Sequence, residues 1–195
     1  MKSPRFFGYG SLVNIATHDY PNPRPATLKG WRREWRHTTL RDVAYLSIMP
    51  DPDSTISGVV ADVPDGDWAA LDLRETAYVR HEIPRDRLNI QGAAALGVSV
   101  YQTRLDCSAA EGNLHPIYLS YLDVVVQGFL NIYGESGVTE FFDTTSGWET
   151  VILDDRAAPR YPRHQQLSAD ETARVDAHRR RLSAHVKQIH EPGVT

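Results

Sequence analysis

The apolar pattern of this chain changes period once, at Pro116, and the change limits the folds open to it. Before that point, short stretches alternate with a period of two. In "LKGWRREWRHTT", Trp31, Arg33, Trp35 and His37 form one aromatic-rich face against Arg32, Glu34 and Arg36, and "VAYLSIM", "ISGVVADV", "YVRHEI" and "GVSVYQTRL" have the same strand character. After it, Tyr118, Tyr121, Leu122, Val125, Phe129, Ile132 and Tyr133 recur at three- and four-residue steps, the spacing of a long buried helix. Pro116 suits the first turn of that helix, and Gly134 stands just past its end. Strands first and long helices later predict an α+β fold over a doubly wound sheet. The strands are expected to form an antiparallel meander, with "PDPDST" as the turn between "VAYLSIM" and "ISGVVADV".

Smaller signals complete the outline. The aromatic run Arg5 to Tyr9, bounded by Pro4 and two glycines, reads as a buried strand. Prolines at 21, 23 and 25 exclude helix there, so any helix after Ser11 is brief. "PDGDWAALDLRE" predicts a helix capped by Asp65 or Asp67, with Trp68, Leu71 and Glu75 along one face. Ser168 and Glu171 have the spacing of a capping box, ahead of a seam of Val175, Leu182, Val186 and Ile189. Before it, "DDRAAPRYPRHQQ" is polar and proline-punctuated, and irregular structure is expected. The 195 residues thus suggest one domain, with a core over about residues 5–150 and an irregular segment and helix over 151–195.

Composition bounds the partners. With 41% apolar residues the chain can bury roughly two-thirds of its unfolded surface. No apolar run approaches the ~18 residues of a membrane span, and the start lacks a secretory pattern, so a cytoplasmic location and no membrane partner are expected. The single cysteine, Cys107, excludes an intrachain disulfide and is expected to be a small buried apolar group. A formal charge of −4 argues against a general nucleic-acid binder and leaves small molecules as the expected partners. The histidines, at 18, 37, 81, 115, 164, 178, 185 and 190, fall in no metal-ligand pattern, so no metal is expected. The arginines at 179–181 read as a solvated helix face beside Asp176 and Glu171.

Gly8-Tyr9-Gly10-Ser11 directly follows the first strand. A dinucleotide turn would need a third glycine where Val13 stands, and the prolines leave no room for its crossover helix. A bare structural turn remains open. So does an anion cradle, in which amides unobstructed by side chains converge on a carboxylate or carbonyl oxygen and Ser11 adds a hydroxyl.

"FFGYGSL" resembles the N-terminal YGSL loop of the γ-glutamylcyclotransferases, the ChaC-like and AIG2-like proteins, and particularly the glutathione-degrading ChaC branch. "LKGWRREW", "ISGVVADV", "LDLRETAYVR" and "PIYLSYLDVVVQGFLNIYGESGVTEFF" follow in the order of that family, so the likeness covers most of residues 6–143. The resemblance implies a small mixed β-barrel or sheet flanked by helices. It also implies a cofactor-free reaction in which the α-amine of a γ-glutamyl substrate attacks its own γ-carbonyl and releases 5-oxoproline. Such a reaction needs no enzyme nucleophile, which fits a sequence without a convincing Ser-His-Asp or Cys-His set.

On this resemblance Glu75 matches the catalytic general acid and base, and partial burial is expected to raise its pKa. Tyr9, Gly10, Ser11 and Leu12 would hold the glutamyl moiety and polarise the γ-carbonyl, and Tyr78 and Arg80 are candidates for the substrate carboxylate. Arg74, adjacent to Glu75 on the helix, is expected to point away from the pocket. The chain departs from the ChaC branch at Thr76-Ala77, where a glycine pair is usual, at Val13-Asn14, near the expected leaving group, and at Phe141 and Phe142, where a tyrosine is common. Glutathione and other γ-glutamyl amines or dipeptides therefore both stay open as substrates. Arg160, Arg163 and His164 are expected to attract a doubly carboxylated substrate. A non-catalytic module binding a small anion at the same loop, and a nucleotide-binding domain, are the rival readings.

Overall fold

Strand β1 (Arg5–Gly8) is the centre of the sheet, which explains why its residues are apolar without alternation. Phe7 enters the main core, while Phe6 enters a smaller cluster with Leu12, Leu71 and Tyr101 on the other face. The structure is a computed structural model that describes residues 4–94, 97–109 and 114–190, with side chains to residue 182.

On one side β1 pairs antiparallel with β3 (Tyr45–Asp62), and on the other it runs parallel to β6 (Val98–Thr103). A simple meander is therefore not formed: the chain inserts its first strand between two later ones. Adding β2 (Arg24–Arg36), β4 (Tyr78–Glu82) and β5 (Leu88–Ile90), the order is β4-β6-β1-β3-β2-β5, and β8 (Thr145–Ser146) also lies along β2. Short strands β7 (Ile117–Tyr118) and β9 (Ile152–Leu153) pair in parallel beside this sheet. The whole is the mixed α+β fold expected.

The long hairpin of β2 and β3 corrects one expectation. "PDPDST" lies inside β3 and makes no turn, and the extra residues are absorbed by a shift in register from Lys29↔Thr55 to Trp31↔Pro50. Gly30, at φ 84°, supplies the backbone conformation that this bulge needs. Arg33, placed by alternation on the face of Trp31 and Trp35, is completely buried.

Helix α1 (Ala69–Arg74) has Trp68 at its N-cap; the Asp67 side chain accepts from the Ala69 amide at 2.9 Å instead of occupying the cap position. Helix α2 (Leu119–Asp143) begins after Pro116 because the two intervening residues are recruited into β7. Gly134 (φ 68°, ψ −162°) interrupts it where its end was expected, and the chain resumes helix to bury Val138, Phe141 and Phe142. Helix α3 (Ala169–His190) starts with the expected capping box: the Glu171 amide donates to Ser168 Oγ at 3.2 Å, and the Ser168 amide donates to Glu171 Oε2 at 2.6 Å. Val175 is buried and Leu182 packs on the same core; the side chains of Val186 and Ile189 lie outside those described. Cys107 is not the buried apolar group expected: it is half-buried at the end of a 3-10 turn, its thiol 3.6 Å from Asp106. Among the described residues no helix is long and apolar enough to cross a membrane.

Candidate active site

At the end of β1 the backbone packs so closely that side chains are excluded. A Cβ on Gly8 would lie 2.6 Å from Leu12 Cβ, and one on Gly10 would lie 2.7 Å from the Tyr121 hydroxyl. The chain then enters a single 3-10 turn, Ser11–Val13, with Val13 and Asn14 amides donating to the Gly10 and Ser11 carbonyls at 2.9 and 3.1 Å. That geometry leaves the Ser11 and Leu12 amides outside the turn's own hydrogen bonds. Arg33 fixes the bend from behind: its Nε donates to the Tyr9 carbonyl at 3.1 Å, and its other nitrogens donate to Thr144 Oγ1 at 2.7 Å and to the Ser57 carbonyl. The guanidinium lies 4.9 Å from the ring centre of Phe129. Burial lowers its pKa to about 10, so it remains a cation at neutral pH.

Glu75 terminates α1 and is brought to the same place by a tight turn. Its amide donates to the Leu71 carbonyl at 2.9 Å, and the Tyr78 amide donates to the Glu75 carbonyl at 2.8 Å. The two-residue Thr76-Ala77 link closes this turn. Its carboxylate lines two connected spaces. An inner niche of about 30 Å³, room for a carbonyl-sized group, is walled by the residues from Phe7 to Leu12, with Leu46, Tyr78, Tyr101 and Tyr121. An outer cavity of about 340 Å³ shares Ser11, Leu46, Glu75, Tyr78 and Tyr121 with it. The geometry thus gathers Tyr9, Gly10, Ser11, Leu12, Glu75 and Tyr78 around one opening.

The electrostatics of that opening are set mainly by desolvation. Burial raises the Glu75 pKa above the usual carboxylate value, more than the nearby Arg74 and Arg163 charges lower it. Burial likewise keeps the Tyr9, Tyr78 and Tyr121 hydroxyls neutral far above physiological pH. The Tyr9 hydroxyl donates to the Tyr101 carbonyl at 2.7 Å, and that of Tyr78 to the Leu46 carbonyl at 3.0 Å. These two tyrosines hold the walls together. The Tyr121 hydroxyl faces the bend, and its ring meets Tyr161 edge-on at 5.0 Å.

Several expected residues are placed elsewhere, or in a different way. Arg74 does not point away: its Nε lies 3.3 Å from Glu75 Oε1, and its NH2 group donates to Ser11 Oγ at 3.4 Å and to Thr17 Oγ1 at 3.3 Å. Because α1 ends at this residue, helical divergence no longer separates it from Glu75. Arg80 is outside the opening, donating to Asp72 at 3.0 Å and lying 4.1 Å from the Trp68 ring centre. Val13, Phe141 and Phe142 are core residues, and Asn14 is buried, with its amide donating to the Val124 carbonyl at 2.9 Å, so none of the four lines the cavity. Arg160 and Arg163 do line it, whereas His164 borders a separate space. Sequence reasoning missed Tyr121, Arg74 and Arg41 as wall residues. Tyr121 carried only a helix-face signal, and Arg41 carried none.

The family model described as Gamma-glutamyl cyclotransferase, AIG2-like matches residues 6–117, which include the bend, Glu75 and Tyr78. Among solved structures, one described as a Gamma-glutamyl cyclotransferase is 14% identical with a TM-score of 0.57, over 90% of this chain and 99% of its own. A human protein, loc79017, described as uncharacterized, is 15% identical with a TM-score of 0.58, over 90% and 99%. YkqA from Bacillus subtilis is 18% identical with a TM-score of 0.57 over 71% of this chain, which spans about half (52%) of the length of that protein. At these identities the similarity is one of fold. No curated protein matches the chain.

Proposed function

The chain belongs to the gamma-glutamyl cyclotransferase, AIG2-like family, and from that membership and the site together we propose that it releases 5-oxoproline from a γ-glutamyl peptide or amine, glutathione included. The γ-carbonyl enters the niche with its oxygen toward the Ser11 and Leu12 amides. The substrate's own α-amine, held at Glu75, attacks the γ-carbon. One C–N bond forms and closes the five-membered ring; the C–N bond to the leaving amine then breaks. Glu75 takes a proton from the attacking nitrogen and delivers it to the departing one, so atoms balance without water or a redox partner.

Two physical effects supply the rate. Holding amine and carbonyl in contact turns the reaction into an oriented intramolecular attack, for which effective molarities of ~10⁵ M or more are attainable. Amides aimed at the developing oxyanion add about 3 kcal/mol for each well-placed donor. Arg74 helps to hold Glu75 against the bend, and Tyr121 walls the opening opposite Gly10.

The observation that carries this reading is the Glu75 carboxylate itself, mostly buried, raised in pKa and in the wall common to niche and cavity. Incubation of the purified protein with glutathione and a panel of γ-glutamyl dipeptides and amines, followed by mass spectrometry, should reveal 5-oxoproline. Ligand binding without product would instead identify a non-catalytic module of the same fold.

A further inference from the structure

The outer cavity is walled by four arginines, Arg41, Arg74, Arg160 and Arg163, and by one acid, Glu75. Glu75 is matched by Arg74 at 3.3 Å. Among the described residues, none of the other three arginines has an acidic group within ion-pair distance. This excess of positive charge stands out in a chain whose net charge is −4. Arg41 comes from the turn between β2 and β3, and Arg160 and Arg163 come from the irregular segment before α3, beyond the residues matched by the family model.

That segment is tied in place. Asp155 Oδ1 accepts from the Ser120 amide at 2.8 Å, and its Oδ2 accepts from Ser120 Oγ at 2.6 Å and from the Arg160 amide at 2.8 Å. The Tyr161 amide in turn donates to Ser120 Oγ at 3.2 Å. The Arg160 guanidinium lies 5.7 Å from the Tyr118 ring centre, and the field of Arg163 reaches Glu75. A tethered backbone thus presents exposed, uncompensated guanidinium groups at an open cavity, a surface that attracts carboxylate.

Resting on the proposed cyclotransferase reading, we propose that Arg160 and Arg163, with Arg41, select γ-glutamyl substrates whose leaving amine carries a carboxylate, an amino acid or the C-terminal part of a short peptide, over neutral and cationic amines. The glutamyl part would lie at the bend, and the carboxylate of the departing part would meet the arginine rim of the same cavity. A cationic leaving group, such as the side chain of lysine, meets like charge there and is rejected.

The test compares γ-glutamylglycine with γ-glutamylglycinamide, which differ only in that carboxylate. Calorimetric titration of Glu75→Gln protein reads binding without turnover. The acid is expected to bind about tenfold more tightly than the amide at low ionic strength. In protein that also carries Arg41→Ala, Arg160→Ala and Arg163→Ala, the ratio should fall close to one. Wild-type kcat/KM should favour the acid in the same sense, and added salt should shrink the preference. Equal binding of acid and amide, or a preference that survives in the variant lacking all three arginines, overturns the proposal. Preferential binding of the acid with no 5-oxoproline from any substrate would overturn the cyclotransferase reading and leave the arginine receptor standing.

Discussion

At the scale of single residues the opening depends on one carboxylate and one absent side chain. If Glu75 carries the proton, Glu75→Gln lowers kcat by roughly 10²- to 10⁴-fold, as read by 5-oxoproline formation. The same variant should be more stable than wild type at neutral pH. Because burial raises the folded-state pKa, the folded protein binds this proton more strongly than the unfolded chain, and stability is lost as pH climbs from the usual carboxylate value through the raised one. The Tm advantage of Glu75→Gln should therefore be present at pH 7 and vanish below the ordinary glutamate range; calorimetry between pH 4 and 8 decides it. Gly10 makes a different point. Gly10→Ala meets a steric cost, from a methyl group 2.7 Å from the Tyr121 hydroxyl and 3.2 Å from Leu46. Overpacking of about 1–3 kcal/mol is expected in urea titrations, with turnover falling as the bend moves.

At the scale of elements, periodicity and one cap were legible and pairings were not. The capping box at Ser168 and Glu171 was readable because both partners lie within one turn. Ser168→Ala should cost about 1 kcal/mol. Gly134 was readable as a helix end, but the resumption of α2 was not, since it depends on a core waiting for Phe141 and Phe142. In Gly134→Ala no atom lies within 4 Å of the new methyl group. Its penalty of about 1–3 kcal/mol would come from the backbone alone, through a conformation that residues with side chains avoid, and equilibrium unfolding measures it. "PDPDST" misled because its composition is that of a turn, while its partner strand forced it into a bulge.

At the scale of the whole molecule, residues up to 153 are not expected to stand without the segment and helix that follow them. Asp123, buried in α2, is neutralised by Arg156 at 2.7 Å, and Val175 of α3 is fully buried against the core. A chain ending at residue 153 would leave that carboxylate unpaired, at a cost of about 3–5 kcal/mol, and would expose the core under α3. It should show no cooperative thermal transition. The sequence by itself determined what lies within a few residues: the strand and helix periods and the glycine bend, each set by local sterics and spacing. Only the tertiary structure decided that β1 lies between β3 and β6, that Arg74 turns inward, that Arg80 remains with Asp72, and that Arg160 and Arg163 reach a cavity built mostly by earlier residues. Those outcomes come from packing and pairing between groups far apart along the chain, such as Ser120 with Asp155, and no local spacing encodes them.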